Sequence, residues 1–224
     1  MYYNISNAHT AAIYSLAFDP SNPGFLVSGS AASTNNLKIW NINDYPPVST
    51  KNLTGHVSGA IVTAIAFEST GILATGDNFN RIFIWNNDAE RTALKSNIIT
   101  GSSVRALAFS PIMTDRLLVS GQSSSTGSIN IKTWNPSTGV EITTLSPTYT
   151  STVNVFCLSF NAYGVLASGS ANSIRLWDTS RTNYKNLTSL GTQAINALAF
   201  SSSGLLAAGN VGSSVSNSRV AVWY

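Results

Sequence analysis

The chain is poor in the groups that carry out most protein chemistry. It has one cysteine, Cys157, so no intrachain disulfide can form. Its only histidines are His9 and His56, too few to build a Cys/His metal centre, and no cofactor is expected. Charged residues make up 9% of the 224, against about 25% in an average soluble domain. Twelve Lys and Arg against nine Asp and Glu give a net charge of +3. These cations are scattered and form no basic stripe, which argues against a nucleic-acid partner. No apolar run approaches the ~20 residues that cross a bilayer, so no membrane span is expected. The opening MYYNISNAHT has neither a basic nor an apolar region, and a secretory leader is not expected. Phosphate-loop, G-x-S-x-G and H-E-x-x-H patterns are missing as well. With no such motif and so few bases, the chain reads as a non-enzyme.

What is present is a repeat. The chain is 43% hydrophobic, enough for a folded core. Trp40, Trp85, Trp134, Trp177 and Trp223 are separated by 45, 49, 43 and 46 residues. A period of 40–50 with strand-like contents marks the blades of a propeller. Before each Trp stands a six-residue segment ending in Phe: IYSLAF, VTAIAF, VRALAF, VFCLSF and INALAF, closing at Phe18, Phe67, Phe109, Phe160 and Phe200. An apolar segment ending in Gly29, Gly76, Gly121, Gly169 or Gly209 follows. A third segment ends in the Trp, and a fourth is more polar. Turn-forming residues separate them, so each repeat reads as four short strands.

Side chains alternate across a strand. In VTAIAF, Val62, Ala64 and Ala66 share one face, and Thr63, Ile65 and Phe67 the other. All five repeats keep small residues on one side and Leu or Ile plus Phe on the other. Both faces are therefore buried, the bulky face of one sheet against the small-residue face of the next. Cys157 falls in the small-residue column and reads as packing.

These segments resemble WD repeats. SGSANSIRLWD at 168–178 is a close match, and Gly55-His56 fits the family's GH step. The resemblance covers essentially the whole chain. It implies an all-β, five-bladed propeller with repeats at roughly 9–44, 55–90, 98–140, 148–182 and 190–224. Tyr3-Asn4-Ile5-Ser6 is similar to the fourth-strand segments Lys51-Asn52-Leu53-Thr54 and Lys185-Asn186-Leu187-Thr188. Residues 1–8 are therefore expected to complete the last blade and close the ring. Only Trp177 is followed by Asp; Asn41, Asn86 and Asn135 follow three others. The family joins a His, a hydroxyl, an Asp and the Trp in a buried network. Here Ser28, Thr75, Ser120 and Ser168 fit the hydroxyl position and Ala208 does not. No Asp stands in the tight turn before a Trp strand. The network thus looks degenerate, each Trp N–H being left to another partner or to water.

The resemblance implies an interaction scaffold that binds protein partners through one set of loops, the top face. The loops at 30–36, 122–130 and 210–219 are the long ones, rich in Ser, Thr, Asn and Gly. Loop variation on a rigid scaffold is where binding usually resides. The second position of the inner strand, Tyr14, Thr63, Arg105, Phe156 and Asn196, varies while its neighbours stay fixed. With His56 it forms the candidate partner-binding set; the alternatives are that the column fills the channel of the ring and that His56, like His9, caps the loop into an inner strand. A second reading is a secreted or surface propeller, either a glycan-binding lectin or a self-assembling subunit of a polymer. Asn4, Asn52 and Asn186 begin N-x-S/T sequons that could carry glycans there, though three are no more than this composition yields by chance. The scaffold reading goes with a cytoplasmic or nuclear location, the second with an extracellular one.

Overall fold

The computed structural model describes residues 4–44, 46–88, 91, 93–123, 131–145, 153–171, 173–187, 193–211 and 218–224, with backbone alone at 93–97. All its regular structure is β. Sheet 1 is β1 (Ile13–Phe18), β2 (Phe25–Ser30), β3 (Leu37–Asn41) and β4 (Val48–Asn52). Sheet 2 is β5 (Val62–Phe67), β6 (Leu73–Asp77), β7 (Arg81–Trp85) and β8 (Ala93–Ile99). Sheet 3 is β9 (Val104–Phe109), β10 (Leu118–Gln122), β11 (Ile131–Trp134) and β12 (Glu141–Thr144). Sheet 4 is β13 (Val155–Phe160), β14 (Leu166–Ser170), β15 (Ile174–Trp177) and β16 (Tyr184–Leu187). Sheet 5 is β17 (Ile195–Phe200), β18 (Leu206–Asn210) and β19 (Val220–Trp223). Strands follow one another in chain order within each sheet, as an antiparallel meander. The chain divides into two compact units, Met1–Val104 and Arg105–Tyr224.

Two parts of the expected layout differ. Sheet 5 has three strands among the described residues. Residues 4–8 are turn and irregular chain, not the outer strand expected at 1–8, while 1–3 lie outside the described residues.

Sheets stack by a repeated fit. A Cβ on Gly29 would lie 2.6 Å from Val62 Cγ1, one on Gly121 2.7 Å from Val155 Cγ1, and one on Gly169 2.9 Å from Ile195 Cγ2. The β-branched residue that opens one sheet therefore sits on the glycine of the preceding sheet, and only a residue without a Cβ leaves room. In the first unit, Phe67 and Ile65 pack on a cluster that includes Val27, Leu37, Ile39 and Trp85. In the second, Phe160 packs on the cluster of Val119, Ile131 and Trp177, and Phe200 on that of Ala167, Ile174 and Ile195.

Phe109 is half-buried in sheet 3, whereas Phe18 departs from the expected core column and is 61% exposed. It shares a bare face of β1 with Tyr14 and Leu16, because the first unit has no sheet ahead of sheet 1. In the second unit the small face of β17 is bare in turn: Ala197 and Ala199 are exposed. A Cβ on Gly209 would meet nothing nearer than Ala197 at 3.9 Å.

The buried polar network is more complete than the sequence suggested. Trp40 Nε1 donates to Ser28 Oγ (2.8 Å), Trp85 to Thr75 Oγ1 (3.0 Å), Trp134 to Ser120 Oγ and Trp177 to Ser168 Oγ (both 2.9 Å). Four indoles thus have a partner in their own sheet; only the sheet with Ala208 lacks the hydroxyl. His9 lies 2.6 Å from Ser28 Oγ and 2.8 Å from Ser30 Oγ. His56 bridges Thr75 Oγ1 and Asp77 Oδ2, both at 2.8 Å. Asp77, directly after the repeat glycine, takes the acidic role, and its other oxygen accepts the backbone N–H of Phe79 and Arg81. Sheet 3 has no histidine, and there Gln122 Nε2 donates to Ser120 Oγ at 3.0 Å.

The residue two before each Trp was passed over in the sequence. Lys38, Lys132 and Arg175 hold their cations 5.5, 5.5 and 5.8 Å from the centroid of their own Trp ring. Phe83 stacks on Trp85 in the same place, centroids 5.8 Å apart. The residue after the Trp closes the next turn. Asp178 Oδ1 accepts Ser180 Oγ and the N–H of Thr182 and Asn183. Hydrogen bonds from Asn183 and Ser180 hold its carboxyl down at about 2. Asn135 accepts the N–H of Ser137 and Thr138, and Asn41 that of Asn43. Asn therefore replaces Asp without loss of the turn.

Candidate interaction surface

The register explains why one column of the inner strand varies. Pairing slips between Ile13 and Ser15 in β1, Val62 and Ala64 in β5, Val155 and Cys157 in β13, and Ile195 and Ala197 in β17. The skipped residues are Tyr14, Thr63, Phe156 and Asn196. Each is the extra residue of a β-bulge, which breaks the ladder locally and re-aims its side chain. Freed from the ladder, this position bears Tyr, Thr, Phe and Asn in the four sheets.

The five residues at this position meet different fates. Tyr14 is 57% exposed. Thr63 is half-buried, and its hydroxyl donates to the carbonyls of Val104 (2.6 Å) and Gly76 (3.2 Å). In the second unit Arg105 and Asn196 are exposed and Phe156 is half-buried. Arg105 Nε donates to Ser123 Oγ at 2.7 Å, tying the inner strand to the start of the 122–130 loop. Tyr14 and Thr63 belong to the first unit, Arg105, Phe156 and Asn196 to the second.

His56, counted in the candidate set, has a fully enclosed side chain with both ring nitrogens engaged. It offers nothing to a partner and acts as a strut. Burial would raise the Asp77 carboxyl, but the hydrogen bond from His56 and the nearby Arg81 hold it below its usual range. Burial pushes His9 below the usual histidine value, helped by the charge of Lys38. Cys157 donates Sγ–H to the Ile195 carbonyl at 3.2 Å, and burial pushes its thiol up to about 12, so it is no nucleophile at neutral pH.

Among the described residues no group of three or more His, Cys, Asp or Glu is placed to hold a metal ion, and no helix is long and apolar enough to cross a membrane. Asn4, Asn52 and Asn186 are exposed. Most of the loops at 122–130 and 210–219 lie outside the described residues.

Comparison with known families agrees with this architecture. The WD domain, G-beta repeat, matches residues 3–41 and 139–178. No curated protein matches the chain. The first match ends with β3 and the second runs from β12 through β15, so each covers the Trp-centred unit that the sheets repeat. Two segments of the chain, 3–41 and 139–178, thus match the WD repeat.

Proposed function

We propose that this chain is a non-catalytic scaffold that binds protein partners through the loop face around its bulged residues. WD repeats in general serve as protein-interaction modules. One observation carries the reading further: two bulged positions bear Tyr14 and Asn196, and the second position of β9 bears Arg105, all exposed. Tyr and Arg are the side chains that most often anchor interfaces. The reading carries with it a location inside the cell.

The scaffold is further proposed to be one five-bladed ring. One observation supports this. The bare bulky face of β1 and the bare small face of β17 are the two halves of the fit used between the other sheets.

Affinity capture with the wild-type chain and with Tyr14→Ala/Arg105→Ala, followed by identification of bound proteins, tests the scaffold reading. A partner set retained by the wild type and lost from the double variant, at unchanged melting temperature, supports it. An identical set on both proteins places binding elsewhere and refutes the proposed face.

A further inference from the structure

Two cavities lie in the first unit, and they differ in how their polar groups are spent. The larger, about 540 Å³, is floored by Phe25, Val27 and Ile39. Its Asp19–Arg91 ion pair is buried, and Thr50, Asn22 and Asn87 hydrogen-bond to their own surroundings. Such a cavity has little left to give a ligand.

The smaller, about 300 Å³, lies where the 33–36 loop meets the 53–58 loop. Ser33, Thr34, Asn35, Thr54 and Ser58 line it, and their side chains make no hydrogen bond within the described residues. Asn36 and His56 line it too but are engaged elsewhere, Asn36 with the Ala60 carbonyl and His56 with Thr75 and Asp77. Leu53, 3% exposed, is the apolar group of its lining, and no Lys, Arg, Asp or Glu lines it. Five hydroxyl and amide side chains without a partner among the described residues therefore line one concave site.

We propose that this pocket binds an uncharged saccharide. Hydroxyls and amides both donate and accept, as the hydroxyls of a sugar do, so each can pair whichever way the ligand presents. An ionic ligand would find no counter-charge, and an apolar one would strand five polar groups without partners. The walls are loops and not strand edges, so an extended peptide finds no ladder to join. The volume lies at the small end of ligand sites, the scale of one or two sugar rings. The site is separate from the bulged column and does not depend on the scaffold reading.

The test is binding of the full chain to an array of neutral, sialylated and sulfated glycans, with saturation-transfer NMR on N-acetylglucosamine and methyl mannoside. Asn35 has φ +53°, so Asn35→Gly removes the amide while keeping the left-handed backbone. Ser58→Ala removes an exposed hydroxyl. Neutral glycans should bind, with no gain from sialylation or sulfation and an affinity insensitive to salt. Each variant should weaken binding about three- to tenfold, with melting temperature unchanged and Tyr14→Ala without effect. Silence of every neutral glycan would overturn the proposal. So would binding that survives both variants, preference for charged glycans, or capture at this pocket of uncharged random peptides instead of sugars.

Discussion

The indole N–H of Trp85 donates to Thr75 Oγ1 at 3.0 Å, and the same hydroxyl meets His56 Nε2 at 2.8 Å. Both Trp85 and Thr75 are enclosed, at 3% and 0% exposure. Thr75→Val keeps the shape and removes the hydroxyl, leaving two buried polar groups unpaired. Urea denaturation should show a loss of about 1–3 kcal/mol. A loss below about 0.5 kcal/mol would mean that packing alone holds the sheet.

His9 makes the stability depend on pH. Its folded-state pKa is lowered, by burial first and by Lys38 second. The unfolded chain therefore binds the proton more readily, and the contribution is present above the unfolded value of about 6.5. It is lost as pH falls below that value toward the folded pKa. Melting temperature should drop as pH is lowered from neutral through 6, and His9→Gln should flatten that part of the profile. A profile unchanged by the variant would assign the slope to other groups.

Two ion pairs join neighbouring sheets in equivalent places. Arg91 pairs with Asp19 in the first unit and Arg181 with Asp115 in the second. Both arginines have positive φ, at +46° and +60°. The first pair is buried, the second partly exposed. Arg91→Met strands a buried carboxylate and should cost about 3–5 kcal/mol. Adding Asp19→Asn should recover much of that loss. Arg181→Ala should cost about 1 kcal/mol or less. Equal costs for the two arginines in urea titrations would refute the distinction.

The repeat was legible because packing constrains it in sequence. The Trp and Phe columns and the small-residue face survive five times over, since each must fit the same neighbour. The role of Asp77 was hidden. It stands one residue after Gly76, in the column of Ser30 and Gln122, and only the fold brings it to His56. The bulge at Tyr14, Thr63, Phe156 and Asn196 left a trace as a variable column, but a register slip has no residue signature of its own. The cations over the indoles are visible as the Lys or Arg of LKIW, IKTW and IRLW, but nothing in the sequence places them over a ring. Phe18 misled because its column is apolar in every repeat, while burial there needs a sheet ahead of it. His56 reads from the sequence both as a partner-facing residue and as a cap on the loop into the inner strand, and its enclosed ring agrees with the second.

Native mass spectrometry of the purified natural protein tests the central claim most directly, because oligomeric state and covalent mass are read together. The bare faces of β1 and β17 must be covered within one chain if the five sheets form a single ring. The expected result is an unmodified monomer near 23.7 kDa. A concentration-dependent series of oligomers, or a species heavier by the mass of N-linked glycans, would contradict a self-closed scaffold inside the cell and favour an extracellular assembly.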